Sequence, residues 1–542
     1  MQRICSIALC LFISLLSISQ PGENLQRPKL VIGITVDQMR WDYLYRYYDR
    51  YAANGGFKKM LNQGFSCENT LIPYAPTVTA PGHTSIYTGS VPAIHGIAGN
   101  LWWDEAQQRE VYCTEDKTVK TVGSPSTAGL QSPRNLLVTT ICDELRLATN
   151  FQSKVIGVAA KDRGGILPAG HSANAAYWYD GSVGNWITST YYMTDLPQWV
   201  KDINEKKLVD KYYEKGWNTL YPVNTYSQST GDDKPYESKG IGTGFPYDLK
   251  KFVGKSYNAI LSTPHGNTLT IDMAKAAIEG ESLGADAITD FLALSFSSPD
   301  YIGHGFGPNS MEQEDDFLRL DKDLGEFLSY LDTKIGQGQY TVFLSADHGV
   351  AHVPGFLKEN KIPAGGFVEA TALKDLNQLL KDKFGHSDLA LNLSNYQVVL
   401  NNNLIYSERK LRRDDVVAAI VSFFSKQDAV LMAFDIQQLE TVPLQSKIRE
   451  MIRNGYFAQR GGGVQIILKP NYMETYGPTG TTHGLWNPYD AHIPLLWYGW
   501  GIKAGKTNRE TYMTDIAPTV AALLHIQMPG GSIGKVITEV MK

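Results

Sequence analysis

The chain has 542 residues, 43% hydrophobic and 19% charged, which suits a large packed core and is too apolar for a disordered protein. Its 50 Lys and Arg against 55 Asp and Glu give a formal charge of −5, and no dense basic run interrupts that balance. Nucleic acid as a structural partner and a broad anionic membrane surface are thereby excluded, while a few basic residues converging on one small anion are not.

The N-terminus places Arg3 ahead of an apolar run that closes on Ser17-Ile18-Ser19, the pattern of a secretory signal peptide over 1–19 cleaved near Ser19. That run is marginal for spanning a bilayer, and no later stretch approaches about 18 consecutive apolar residues. A soluble periplasmic or secreted protein without a stable membrane anchor is expected. Cleavage leaves Cys67, Cys113 and Cys142, which permit one disulfide at most and match neither a zinc knuckle nor a CxxC pair.

Further along, short apolar runs end abruptly in polar residues. Leu30–Val36 meets Asp37, Val155–Ala160 meets Lys161, Phe291–Phe296 runs up to Asp300, and Tyr340–Ser345 leads to Asp347. Such nearly continuous runs are those of strands buried on both faces. Between them Phe317, Leu320, Leu324, Phe327, Leu328 and Leu331 recur at spacings of three and four, an amphipathic helix. With no internal repeat, the alternation predicts an α/β fold with a mostly parallel sheet whose ligands bind beyond the carboxyl ends of the strands. Two stretches depart from this texture: 172–260, rich in Tyr, Trp, Asp, Lys and Gly, and 354–478, which carries its own helix around Leu411 to Phe424. Both read as insertions or a cap over the sheet rim, the alternative being irregular parts of one main domain.

Chemistry concentrates at that rim. Asp300 and His304 stand four apart, so one helical turn brings carboxylate and imidazole to the same face. Asp347-His348-Gly349 follows a strand directly, Asp37 ends the first strand, and His483 lies in a Gly-flanked loop. Each has an ordinary alternative: solvated helix face, cap of a helix entered at Met39-Arg40-Trp41, loop residue. Together, three Asp and three His without Cys suit two metal sites, with zinc the best match among catalytic ions. Pro76 to Ser85 enters a helix just after Thr79, whose hydroxyl either caps that helix or serves as a nucleophile beside a bound anion. There is no GxSxG elbow, which favours activation by metal. Lys161 and Arg163 would share one strand face if the strand ran on two residues, two cations suited to a phosphoryl group; Asn100 is a neutral donor in a Gly-rich loop.

The ordered set Asp37, Thr79, Asn100, Asp300, His304, Asp347-His348 and His483, with Thr88-Gly89, His95-Gly96 and Asp515 to Thr519, resembles the alkaline phosphatase superfamily. Pro76 to Ala80 with Lys161-Asp-Arg163 and Ile166 to His171 looks more narrowly like the PafA-type alkaline phosphatases. The resemblance implies a three-layer α/β/α sandwich with a central, mostly parallel mixed sheet, a single catalytic domain over 20–542, and two zinc ions per chain. By carry-over Asp300, His304 and His483 hold one zinc, and Asp37, Asp347 and His348 hold the other with the Thr79 oxygen. It implies attack by Thr79 on small-molecule phosphate monoesters, a phosphothreonine that water then hydrolyses, and binding of the phosphoryl oxygens by Asn100, Lys161 and Arg163. A monomer is expected. The alternatives within the superfamily are a nucleotide pyrophosphatase/phosphodiesterase-like enzyme and a phosphonate-ester hydrolase; a non-catalytic binding protein is disfavoured by the complete ligand set.

Overall fold

The protein is described here by a computed structural model covering residues 25–542 apart from 239, 409, 410, 476 and 478, so the expected leader over 1–19 lies outside the described residues. In chain order the strands of the main sheet are β1 (Leu30–Val36), β2 (Phe65–Leu71), β3 (Thr121–Val122), β4 (Val155–Ala159), β5 (Ala175–Asp180), β6 (Asn185–Ser189), β7 (Asp290–Phe296), β8 (Tyr340–Ser345), β9 (His492–Ile493), β10 (Leu495–Gly499) and β11 (Gly505–Tyr512). The order across the sheet is β11-β2-β9/β10-β8-β1-β7-β4-β5-β6-β3, with β9 and β10 both pairing β2. Strands β8-β1-β7-β4-β5 run parallel in the middle. The flanks turn antiparallel at β8–β10 and β5–β6.

The central strands are buried along their whole length, and so lack polar alternation. On one face Gly33 stands opposite Ala293 and Phe343. Tyr87 fills the space that glycine leaves, its ring 5.7 Å from Phe343 and 6.0 Å from Phe291, and its Oη donates to the Gly33 carbonyl at 2.9 Å. This seats helix α1 (Thr79–Thr88) on the sheet, with α2 (Asp162–Ala169) packed beside it. On the other face Tyr177 of β5 meets Trp199 of the helix Gln198–Glu205, whose ring packs against Gly280 of helix α3 (His265–Gly280), and α3 packs on the long helix α5 (Met311–Leu331). Helices on both faces of a mixed sheet make an α/β sandwich, as expected.

The boundary expected at 172 does not stand: β5 and β6 fall inside 172–260 and belong to the main sheet. Their sequences are aromatic rather than β-branched, and Tyr177, Trp178 and Trp186 are core residues. Within 354–478 a second, four-stranded sheet joins Ala390–Ser394, Gln397–Leu400, Val464–Leu468 and Val430–Asp435. It shares an apolar cluster with helices Glu369–Phe384 and Arg413–Phe424, around Leu376, Ile420, Phe424 and Val464. A short parallel pair, Gly365–Phe367 with Tyr472–Glu474, ties the root of this segment. Cys67, Cys113 and Cys142 are buried free thiols, with no disulfide among the described residues.

Helix α5 opens with acids taken out of water. Ser310 caps it through the Gln313 N–H, and Glu312, Glu314, Asp315 and Asp316 follow, all buried. Asp315 is served by Trp217, the Leu220 N–H and Arg319, and Glu314 by Ser229 and Arg50. Glu312 accepts from Tyr247 Oη, at 2.5 Å, and burial pushes its pKa from 4.5 up to about 8. The folded state therefore keeps a proton that the unfolded chain has lost between those values, so this group's contribution to stability is present below about 4.5 and lost as pH rises through about 8. Replacing Glu312 with Gln should give a stability advantage over wild type that grows from pH 5 to pH 8 and then levels off, read from urea midpoints across pH.

Candidate metal centre

The carboxyl ends of β8, β1, β7 and β4 stand side by side, and each delivers one charged residue. Asp37 follows β1, Asp347 lies two residues beyond β8, Lys161 two beyond β4, and Asp300 sits in the first turn of helix α4 (Ser298–Phe306) after β7. All four are buried. Asp37 caps no helix, because none begins at Met39-Arg40-Trp41; the next one is Tyr43–Arg46 with Asp42 ahead of it.

The imidazoles converge on these carboxylates. His304, one turn along α4, brings Nε2 to 3.1 Å from Asp300 Oδ1, and His483 Nε2 lies 3.6 Å from the same oxygen. His348 Nε2 is 3.6 Å from Asp37 Oδ1 and 3.3 Å from Asp347 Oδ2. Each ring is anchored through Nδ1 to a backbone carbonyl: His304 to Thr481, His348 to Gly349 and His483 to Thr77, at 2.8, 2.9 and 2.8 Å. A carbonyl only accepts, so Nδ1 carries the proton and Nε2 presents its lone pair inward. Donor atoms of Asp300, His304 and His483 lie within 4.8 Å of one another, as do those of Asp37, Asp300 and His348. Asp300 thus borders both groups.

The electrostatics are unbalanced. Lys161 Nζ lies 2.7 Å from Asp37 and 2.5 Å from Asp300, one ammonium among three carboxylates. Burial pulls the Lys161 pKa down, but Asp300 and Asp37 outweigh it and keep the ammonium charged. Asp37 is pushed well up by burial, then by repulsion from Asp300 and Asp347. Asp37 Oδ1 is buried and accepts no hydrogen bond, and Asp347 Oδ2, also buried, has His83 Nδ1 and His348 Nε2 each at 3.3 Å. Buried carboxylate oxygens short of donors, beside imidazole nitrogens and no sulfur, are a donor set that divalent cations of the zinc type fit.

Thr79 is the first residue of α1, after an extended Val78, and does not cap the helix. Its Oγ1 points into the cluster, 3.3 Å from His348 Nε2. The free Ala80 N–H of that first turn is taken by Asn100 Oδ1 at 2.9 Å, which leaves the Asn100 amino group as a donor. Gly82 lets α1 approach the Asp347 backbone: a Cβ there would lie 2.3 Å from the Asp347 carbonyl oxygen.

Lys161 and Arg163 do not share a strand face. Strand β4 ends at Ala159 and α2 begins at Asp162, so helical geometry separates the two side chains. Lys161 reaches into the carboxylates, whereas Arg163 Nη1 donates to Tyr112 Oη at 2.9 Å, and Tyr112 in turn donates to Asp162. Three neighbours were not anticipated. Tyr112 holds Arg163, and Gln38 touches both Asp300 and Asp347. His83 contacts the Thr79 carbonyl at 3.0 Å and Ser295 Oγ at 2.8 Å. Only His83 had a signal, its place one helical turn after Thr79.

Residues 31–490, from before Asp37 to beyond His483, match the family described as type I phosphodiesterase / nucleotide pyrophosphatase. The chain belongs to that family. Within it, the alkaline phosphatase PhoV of Synechococcus elongatus is 56% identical over 96% of this chain and 94% of its own length. The alkaline phosphatase PafA of Elizabethkingia meningoseptica is 51% identical over 96% of both chains. A Myroides odoratus protein named calcium-transporting ATPase is 55% identical over 99% of this chain and 98% of its own. The crystal structure of PafA superposes with a TM-score of 0.93, covering 96% of this chain and all of that one. The fold is that of PafA and the chain is a member of the alkaline phosphatase superfamily. Among the described residues no helix is long and apolar enough to cross a membrane.

Gly82→Ala should lower stability by about 1–3 kcal/mol through overpacking against Asp347, measured by denaturant unfolding, and reduce turnover by displacing Thr79.

Proposed function

We propose that this chain, a hydrolase of phosphoric monoesters, is a secreted zinc-dependent enzyme that acts on a broad range of small phosphate monoesters through a phosphothreonine on Thr79. Two zinc ions per chain are proposed, one held by Asp300, His304 and His483 and the other by Asp37, Asp347 and His348 beside the Thr79 hydroxyl. The observation that carries this reading is the Thr79 hydroxyl, first in its helix, turned 3.3 Å from His348 among the clustered carboxylates and imidazoles. Identities of 51% and 56% to two alkaline phosphatases over nearly the whole chain support the monoester class.

When bound, the ions supply Lewis acidity, easing loss of the hydroxyl proton and offsetting charge on the departing ester oxygen. The chain supplies the rest. Thr79 Oγ1 forms a bond to phosphorus as the ester P–O bond breaks and the alcohol leaves; water then cleaves the phosphothreonine and phosphate departs. The N-terminus of α1 favours the anion through its dipole. Asn100, its oxygen committed to Ala80, offers its amino group to a non-bridging oxygen. Lys161 places a fixed positive charge between the two half-sites, and Arg163, held by Tyr112, adds a second at the start of α2.

Thr79→Ala should abolish turnover of an aryl phosphate while zinc content stays unchanged; retained turnover would end this assignment. The description of the matched family favours a second reading, a diesterase. Monoester and diester kinetics on one sample separate the two. The monoesterase reading expects kcat/KM to be higher on the monoester, and Lys161→Ala with Arg163→Ala to harm it by about 10-fold or more beyond any loss on the diester. The diesterase reading expects the reverse order.

A further inference from the structure

Gln38 occupies the turn between β1 and the rest of the rim, is fully buried, and has no part in the machinery proposed above. Its φ is +67°, a left-handed conformation that costs a residue with a Cβ and that glycine, not glutamine, ordinarily fills. Held strain of this kind is retained where the surroundings over-determine it.

The surroundings here are two carboxylates. The Gln38 backbone N–H donates to Asp347 Oδ1 at 3.1 Å, and its Nε2 donates to Asp300 Oδ1 at 2.6 Å. A carboxylate accepts only, so the amide orientation is set by chemistry. Asp300 Oδ1 is also the oxygen nearest His304 and His483. The other end of the amide, Oε1, lies against Gly303 of α4, where an added Cβ would stand 1.9 Å away. One residue thus holds an acid from β7's end and an acid from β8's end, in a slot that a glycine keeps open.

We infer that Gln38 is a positioning residue: it clamps Asp300 to Asp347, fixing the spacing of the two half-sites and the affinity of the Asp300–His304–His483 group for its divalent cation. The inference rests on the ligand sets proposed above. Hydrogen bonds to ligating groups commonly contribute 10- to 100-fold in metal affinity.

The test uses the full chain, stripped of metal and titrated with zinc against a chromophoric chelator, for wild type, Gln38→Gly and Gln38→Met. Glycine accepts φ +67° and keeps the N–H to Asp347, but loses the amide; methionine keeps the volume and loses the donor. The expected result is that both variants bind one of two zinc equivalents about 10- to 100-fold more weakly, while metal-free Gln38→Gly melts at or above wild type. Wild-type affinity for both equivalents in both variants overturns the clamp. So does a weakening that appears only where the metal-free variant melts lower, which marks a role in folding alone. Wild type that takes up no zinc overturns the ligand sets themselves, and is told apart by the wild-type titration.

Discussion

Three carboxylates buried side by side are the constraint around which this protein is arranged. Asp37, Asp300 and Asp347 leave water at the ends of adjacent parallel strands, with the Lys161 ammonium reaching the first two. Asp347 accepts from the Gln38 and His348 backbone N–H groups, so the cost of burial concentrates on Asp37, pushed well up by burial and by repulsion from its two neighbours. Burial holds the His348 and His483 rings toward their neutral form; it opposes charge on His304 too, but there Asp300 outweighs it. The packing of the sheet and its helices holds these acids and imidazoles together as a donor set that divalent cations fit.

Position follows from topology. Parallel strands present their carboxyl ends on one side, so four segments distant in sequence deliver their next residues to one place. Thr79, the nucleophile proposed above, arrives differently, on α1 laid across the sheet face. Tyr87 at one end of that helix is pinned to Gly33, and Gly82 near the other touches the Asp347 backbone. The same two strands, β1 and β8, thus set both the carboxylates and the distance of Thr79 from them.

The strand ends were legible because each apolar run stopped at a charged residue, and Asp300 with His304 was legible because four residues is one helical turn. Thr79 could be read only as cap or nucleophile, since the choice depends on where His348 stands, a partner far away in the chain. The second cation was misplaced because a strand extrapolated past Ala159 keeps alternating, whereas the backbone turns into a helix at Asp162. β5 and β6 were hidden by their aromatic composition, which resembles an irregular insertion until helix-borne Trp199 is seen covering Tyr177. Gln38 carried no signal, for a lone amide has no periodicity and its meaning lies entirely in long-range contacts.

The placing of β2 has a consequence for how the molecule comes into being. Formed early in the chain, it pairs among the described residues only with β9, β10 and β11, all late in the sequence, and β10 is also what joins it to β8. His483 arrives just before those strands. A nascent chain can therefore assemble the middle of the sheet and still possess neither its edge nor a complete set of donor atoms. Such late, long-range closure makes for slow folding. It also ties completion of the donor set to completion of the sheet.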